Sequence, residues 1–377
     1  MTAKTAHGLV IGKFYPLHEG HLALIRFAAE KSDRLSVIVM ASQFESVPLA
    51  SRQSWLQEET AALGDVHVIG VRCDAPVDYG SDIAWQANVA LMTAALDDSG
   101  APPVTAVFSS EPYGDELATR FGAASVTYDM RRAAHPVSGS AVRADLIGRW
   151  PQTAASARLD LATRVIVVGA ESTGTTTLAH DLTEHYRDHG FSAIRDVEEY
   201  GRELTYRLHA EASRRAGAEV PVESIVWRPE HFAEVAREQR RREDLAALAC
   251  PLVIADTDAL ATELWERRYV GADSHGAADV NAGGIPRRDV YLVTDHVGVP
   301  FEQDGWRDGE HIREQMTDWF TTELTRRGAS WVLLRGDRTE RLRYACTLID
   351  ALWAQASTFP SPPWAERTIL EVRTGSP

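Results

Sequence analysis

His18 and His21 stand three residues apart within Gly12-Lys13-Phe14-Tyr15-Pro16-Leu17-His18-Glu19-Gly20-His21. The apolar run Leu9-Val10-Ile11 precedes this stretch, and the helical pattern Leu22, Leu24, Ile25, Phe27, Ala28 follows it. The order predicts a strand, a tight loop and a helix. Gly12 lets the backbone turn closely, Pro16 fixes one loop torsion, and Gly20 admits the backbone to whatever sits at the helix start. The first amides of a helix lack internal partners and carry the positive end of its dipole, so phosphate is the natural ligand there. Two imidazoles at this spacing can face one bound group. A lone His-x-x-His would serve equally well as a surface pair or a metal pair.

The ten residues together resemble the GxFxPxHxGH signature of the nucleotidyltransferase superfamily, whose members move a nucleotide from an NTP onto a phosphate. The resemblance implies that His18 and His21 contact ATP phosphates and stabilise charge, with Gly12, Lys13, Phe14 and Gly20 shaping the ATP site. Val137-Ser138-Gly139-Ser140-Ala141-Val142-Arg143 resembles the ISxTxxR segment of the same family. Ser138 is a good N-cap, and Arg143 offers a planar fork to phosphate oxygens. By the resemblance, Ser138 and Ser140 join the ATP site and Arg143 the catalytic set.

These residues need a scaffold. Strands are expected at Leu9–Gly12, Leu35–Met40, Val66–Val71, Val104–Ser109 and Ala124–Tyr128, separated by amphipathic stretches. That is the rhythm of a Rossmann-like α/β domain, a parallel sheet with helices on both faces, and it places the first motif at the carboxyl end of the first strand. Two further segments would face that crevice: Asp82 to Asn88, which carries Trp85 at a loop-to-helix junction, and Phe108-Ser109-Ser110-Glu111-Pro112, which ends a strand in small polar residues. Tryptophan is most often core, and Ser-Ser-Glu-Pro can simply cap a helix. Both segments nevertheless resemble the nicotinamide mononucleotide adenylyltransferase domain of NadR-type proteins. The resemblance implies that Trp85 stacks on the pyridine ring, that Ser109, Ser110 and Glu111 hold the mononucleotide, and that Arg52 falls on a further arginine position of the site.

The small-residue stretch 151–163 reads as a linker between a first domain, 1–150, and a second, 164–356. Arg164 to Val168 is a β-branched strand. Gly169-Ala170-Glu171-Ser172-Thr173-Gly174-Thr175-Thr176-Thr177 follows, then a helix from Leu178 to His189. Strand, glycine loop and helix are the context a P-loop demands, so a P-loop NTPase-like kinase domain is expected. Thr175 occupies the lysine position of G-x-x-x-x-G-K-[ST]. The loop amides can still cradle phosphate and Thr176 can still offer a hydroxyl to Mg²⁺. A charge-assisted hydrogen bond is worth about 1.5–3 kcal/mol, so losing the lysine could cost an order of magnitude or two in rate.

Glu198-Glu199-Tyr200-Gly201-Arg202-Glu203, the strand ending Asp256-Thr257-Asp258, and Asp304-Gly305-Trp306-Arg307 resemble in order the EYGRE, DTD and DGxR segments of the NadR ribosylnicotinamide kinase domain. An acid pair at the end of a strand suits Mg²⁺ and activation of a hydroxyl, with Asp256 as the expected base. The resemblance implies an ATP site of Gly169, Glu171, Ser172, Gly174, Thr175, Thr176, Thr177, Arg307 and Arg313. It implies a riboside site of Glu199, Tyr200, Arg202 and Asp258, and Mg²⁺ held by Thr176 and Asp256. Arg307 and Arg313 flank a loop before the expected helix Glu310–Arg327, as a closing lid would.

The chain has 377 residues, 44% hydrophobic and 25% charged, and a formal net charge of −15. Those fractions are globular, and the length suits two domains. The acidic balance argues against nucleic acid or an anionic membrane as partner. Cys73, Cys250 and Cys346 form no CxxC pair, so neither a disulfide framework nor a zinc site is expected. The start, Met1 to His7, lacks a signal-peptide core, and a cytoplasmic protein is the expectation. With seven residues before the first strand, the helix-turn-helix repressor domain carried by enterobacterial family members is not expected. Residues 271–287 read as a mobile loop and 357–377 as a Pro-rich tail, with no role assigned to either.

The resemblance implies ATP and nicotinamide mononucleotide as substrates giving NAD and pyrophosphate, and nicotinamide riboside as substrate of the second domain. Two alternatives stand beside it: a different phosphate substrate, such as phosphopantetheine, and a second half that binds nucleotide without catalysis. Oligomeric state, including a homo-oligomer, is left open by the residues.

Overall fold

The computed structural model describes residues 4–306 and 309–362, which divide into two compact units. The first unit comprises Met1–Arg158 together with Ser357–Pro377, and the second Leu159–Ala356. The fold is α/β with a parallel sheet in each unit.

The first unit runs β1 (Thr5–Gly12), α1 (Glu19–Lys31), β2 (Ser32–Ala41), α2 (Leu49–Thr60), β3 (Val66–Arg72), α3 (Asp82–Asp98), β4 (Ala106–Ser109), α4 (Gly114–Phe121), β5 (Ala124–Thr127), α5 (Gly139–Ala144) and α6 (Ala155–Leu161). All five expected strands are present. The sheet order is β3-β2-β1-β4-β5, with Ile11 beside Ile38 and Leu9 beside Val107 in parallel register. Strands buried on both faces become near-continuous apolar runs, as Leu9 and Val10 in β1 and Val37, Ile38 and Val39 in β2 show. The strand order reverses at β1, so the crevice between the ends of β1 and β4 is where such a sheet binds ligands.

The division between units falls inside α6, so most of the expected 151–163 linker belongs to the first unit. Trp150 is buried there, Thr153 bridges His18, and the Ala154 N–H donates to Leu17 O at 3.0 Å. The stretch read as a tail also departs from expectation, since its described residues, 357–362, group with the first unit.

The second unit runs β6 (Thr163–Gly169), α7 (Thr175–Asp188), α8 (Tyr200–Ala216), α9 (Pro229–Ala249), β7 (Leu252–Asp256), α10 (Ala259–Tyr269), α11 (Gly276–Asn281), β8 (Val290–Thr294), α12 (Arg313–Arg326), β9 (Trp331–Leu334) and α13 (Arg338–Ala356). Its sheet order is β7-β6-β8-β9, with β6, the P-loop strand, in the interior. The helix expected from Glu310 begins as a single 3₁₀ turn, and α12 proper starts at Arg313.

Residues 271–287 are not simply a loop, because α11 lies in their middle. Ala277 packs with Ala236, Ala259 and Phe232 of its neighbours, and small side chains permit that close approach. The Glu266 carboxylate accepts the N–H groups of Gly276 and Ala277 at 2.7 and 2.8 Å, satisfying two amides that the helix leaves open. No helix among the described residues is long and apolar enough to cross a membrane.

Candidate functional site

In the first unit, the loop after β1 returns into α1 with His18 as N-cap, its Nδ1 3.4 Å from the His21 N–H. The two rings stack at 3.6 Å, and the edge of Phe14 meets His21 at 4.9 Å. Phe14 has φ +47°, an uncommon left-handed backbone, and its ring is buried beneath Gly12. A Cβ at Gly12 would stand 3.0–3.2 Å from that ring, a tight contact that would require the Phe14 ring to shift by a few tenths of an ångström. Burial, then the positive charges of Arg132 and Arg143, push the His18 pKa down to about 4. Burial, His18 and Arg132 hold His21 well below the usual histidine range. Both rings are therefore neutral near pH 7. The Nδ1 of His21 is buried without a hydrogen-bond partner.

Arg143 closes the site from α5. Ser138 caps that helix, its Oγ accepting from Ala141 N at 3.1 Å. The Arg143 guanidinium donates to Tyr15 O at 2.6 Å and to Ser140 Oγ at 3.3 Å, so α5 and the β1 loop are joined directly. Lys13 pairs with Glu45 at 2.8 Å and is half exposed. Neutral imidazoles, a guanidinium and open helix amides together can bind a polyphosphate and neutralise charge growing on it.

The neutrality of His18 has a sign that can be tested. Its folded pKa of about 4 lies below the ordinary 6.5, so the unfolded chain binds the extra proton between those values. Its contribution is destabilising as pH falls from about 6.5 to 4. His18→Asn, which keeps an N-cap acceptor without titrating, should flatten the acid loss of stability by up to about 1.4 kcal/mol per pH unit in that window. Denaturant titrations of both proteins at pH 7, 6 and 5 check this.

The residues expected to hold a mononucleotide divide. Ser109, Ser110 and Glu111 do end β4 at the crevice, with Ser109 Oγ accepting from Glu111 N at 3.0 Å. Glu111 pairs with Arg132 at 2.6 Å, and Arg132 is the basic group whose charge acts on both histidines. Sequence reading missed it. The only signal was the Arg131-Arg132 pair after β5, which nothing local connects to the histidines. Asp129 sets that turn by accepting the N–H groups of Ala133, Ala134 and His135 at 2.7–3.1 Å.

Arg52 is a correction. Its side chain is fully buried, bound to Glu45 at 2.7 Å, Lys13 O at 3.0 Å and Val47 O at 2.7 Å, beneath the Tyr15 ring. It braces the loop from below through both terminal nitrogens, while its Nε is buried without a hydrogen-bond partner.

Trp85 is a second correction. It packs with Leu9, Ile38, Met92 and Val107 in the core, its Nε1 donates to Tyr79 O at 3.2 Å, and the Arg120 guanidinium lies 5.3 Å from the ring. The exposed aromatic at this edge is Tyr79, stacked on Tyr113 at 5.9 Å. Trp85→Ala should therefore cost about 3–5 kcal/mol of stability and disturb all substrate constants together. Urea denaturation alongside steady-state kinetics measures both, and a selective rise in one constant at unchanged stability would restore the stacking role.

In the second unit, the loop after β6 surrounds a cavity of about 780 Å³. Ser172 has φ +56° and Gly174 φ +87°, which turns the chain into α7. A Cβ on Gly169 would lie 2.3 Å from Thr294 Oγ1 and 2.6 Å from Thr173 Oγ1, so β6 can end this close to β8 only with glycine. Thr176 Oγ1 donates to Asp256 Oδ2 at 2.6 Å. Burial and the Glu199 charge raise the Asp256 pKa to about 7, with Thr176, Arg202 and Thr175 pulling the other way. Thr176 and Asp256 bring two hard oxygen donors together, of the type Mg²⁺ takes, and Glu199 lines the same cavity. A carboxylate with a pKa near 7 also suits a general base.

Glu171, Thr177, Glu199 and Arg202 line the same cavity. So do Trp227, Trp265, Tyr269 and Trp306, which sequence reading did not assign. Trp265 and Tyr269 stand one turn apart on α10, Trp227 and Trp306 lie outside the helices and strands, and as single aromatics they look like core. Tyr269 OH reaches Glu171 Oε1 at 3.4 Å.

Three residues expected in this site are engaged elsewhere. Asp258 caps α10 and is buried, accepting from Tyr291 OH at 2.8 Å and Arg288 Nε at 3.3 Å. One residue beyond Thr257, whose φ is +67°, the chain has turned the second carboxylate under the sheet. Tyr200 donates to Glu234 at 2.6 Å and packs with Leu204 and Val235, facing α9. Arg313 donates to Val299 O at 3.0 Å and Ser172 O at 2.9 Å, holding the P-loop backbone while its charge is committed. Arg307 lies outside the described residues.

Residues 164–341 match a family model described as an AAA domain. Over 287 residues the chain is 24% identical to the Trifunctional NAD biosynthesis/regulator protein NadR of Escherichia coli, covering 72% of this chain and 64% of that one. The protein of the same description from Salmonella typhimurium is 22% identical over 281 residues, covering 71% and 63%. The chain thus spans just under two thirds of the length of these curated relatives. Among solved structures, a NadR protein in complex with NR aligns at TM-score 0.56 and 20% identity, covering 95% of this chain and 98% of that one. A NadR protein in complex with NAD and AMP-PNP aligns at TM-score 0.56 and 20% identity, covering 94% and 98%. In sequence over most of its length, and in fold, this two-unit α/β chain with its P-loop domain is therefore similar to NadR proteins.

Proposed function

We propose that the first unit transfers the adenylyl group of ATP to nicotinamide mononucleotide, giving NAD and pyrophosphate. The observation that carries this reading is that His18 and His21 stack at one helix start, at the point where the sheet order reverses, with Arg143 of α5 tied to Tyr15 O in the same loop. A phosphate monoester has a second pKa of about 6 and is largely dianionic near neutral pH, so its oxygen attacks the α-phosphorus without a general base. The bond from that phosphorus to the β-phosphate oxygen breaks, and pyrophosphate leaves. Arg143 and the α1 amides neutralise the departing charge, while the neutral histidines donate hydrogen bonds. Mg²⁺ would supply further charge neutralisation on the polyphosphate.

The second unit is read as an ATP-dependent nicotinamide riboside kinase. Its loop amides hold phosphate, Thr176 and Asp256 would hold Mg²⁺, and Asp256 accepts the riboside hydroxyl proton. The aromatic wall of Trp227, Trp265, Tyr269 and Trp306 suits a cationic pyridinium ring. Thr175 favours a second reading, a nucleotide-binding module without turnover. With Cys73, Cys250 and Cys346 unpaired, we place the protein in the cytoplasm.

The pyridine substrate rests on the relatives and on the β4 loop, since Trp85 is core. Incubating the purified chain with ATP, Mg²⁺ and, separately, nicotinamide mononucleotide, nicotinate mononucleotide and phosphopantetheine, then identifying the products, tests the choice. A dinucleotide from a pyridine substrate is expected. Turnover of phosphopantetheine alone would transfer the assignment to that substrate.

A further inference from the structure

Tyr15 sits at the centre of the first unit's polyphosphate loop. Its carbonyl accepts the Arg143 guanidinium at 2.6 Å. Its ring lies between two cations, 4.4 Å from Arg52 and 5.3 Å from Arg143. Its hydroxyl accepts from Ser46 N at 3.0 Å and stands 2.8 Å from Ser46 Oγ. What completes this arrangement comes from the far end of the sequence. The Phe359 ring meets Tyr15 edge-on at 5.3 Å, Tyr15 OH donates to Pro360 O at 3.2 Å, and Ser46 Oγ donates to Thr358 O at 3.2 Å. Three consecutive residues, more than 300 positions away, thus contact Tyr15 in the loop after β1 and Ser46 in the loop after β2, the two joined by the Tyr15–Ser46 hydrogen bonds.

We propose that Thr358-Phe359-Pro360 is a positioning element of the polyphosphate site, holding Tyr15 and, through Tyr15, the Arg143 guanidinium over the loop. The segment does not touch the reacting atoms. It adds a ring contact and a carbonyl acceptor to a buried tyrosine that Ser46 and the two guanidiniums already engage, and an ordered guanidinium binds phosphate with less reorganisation. The choice of these residues fits that task. A proline carbonyl is an acceptor on a backbone of restricted torsion, and a T-shaped ring pair sets a positive rim against a negative face.

This inference rests on the adenylyl-transfer reading of the first unit, and its test separates the two. Phe359→Ala and Phe359→Tyr in the full chain should be compared with wild type in steady-state adenylyl transfer and in hydrogen exchange of residues 12–21 with and without inorganic pyrophosphate. Loss of one aromatic pair predicts a fall of about three- to tenfold in kcat/KM for ATP, with an unchanged KM for the mononucleotide. Phe359→Tyr, which keeps the ring, should restore it. Kinetics of Phe359→Ala equal to wild type would overturn the proposal. So would a parallel loss in every constant with lowered thermal stability, the mark of a merely structural role. If wild type shows no adenylyl transfer, the functional reading fails and hydrogen exchange decides. Pyrophosphate protection of residues 12–21 present in wild type and weakened in Phe359→Ala supports the positioning role. Equal protection in both, or none in wild type, rejects it.

Discussion

His21→Ala should lower turnover in adenylyl transfer by about 10²–10³-fold while changing mononucleotide binding little, as expected when a donor acting on developing charge is removed. The ring is stacked on His18, is held neutral by burial, and has an Nδ1 with no protein partner. Its hydrogen-bonding capacity is therefore available to a ligand. Steady-state constants for both substrates, with far-ultraviolet circular dichroism to verify folding, provide the measurement. Turnover like that of wild type in the folded variant would remove His21 from the mechanism.

The second large effect concerns Asp256. Asp256→Asn should abolish riboside phosphorylation, because the amide can neither accept the hydroxyl proton nor hold Mg²⁺ as a carboxylate does. The same substitution should stabilise the fold, and by more as pH rises. A carboxyl whose folded pKa is raised to about 7 from an ordinary 3.8 is protonated in the fold at a pH where the unfolded chain has already ionised. Its contribution therefore grows more unfavourable from about pH 4 to pH 7, and the neutral amide removes it. Denaturation at pH 5 and pH 8 reads the sign without any kinase assay. For catalysis, Thr175→Lys completes the comparison. Activity in wild type that Asp256→Asn abolishes indicates a working kinase. Activity only in Thr175→Lys indicates that threonine disabled it. Absence of both activity and ATP binding in all three would leave a structural or regulatory unit. Arg313, expected in the ATP site, is bound to two carbonyls, whereas Arg202, Arg338 and Arg341 line the cavity.

Contiguous features were legible in the sequence. The β1 loop, the P-loop and the strands that carry them are each set by local glycine, proline and β-branched placement, and each element lies within a few residues of where that pattern puts it. Direction was not legible. Arg52, Trp85, Tyr200 and Asp258 have residue types suited to ligands, yet each side chain is turned into the protein by packing from distant elements. Asp258 shows the limit most clearly, since its neighbour Asp256 faces the cavity two residues earlier. Helix α11 was hidden because its packing depends on alanine and glycine, which carry little periodic signal. The contacts of Arg132 with Glu111 and of residues 358–360 with Tyr15 and Ser46 join positions far apart in the chain, and nothing in either local stretch announces the other.

The central claim is that the first unit moves an adenylyl group onto a pyridine mononucleotide. The most direct measurement is to supply nicotinamide mononucleotide and Mg²⁺ with ATP labelled either at the α- or at the γ-phosphorus, and to follow the label. The account predicts α-label in NAD and γ-label in pyrophosphate, with both transfers strongly reduced in His21→Ala. No α-label in a dinucleotide, or undiminished transfer in His21→Ala, would contradict it.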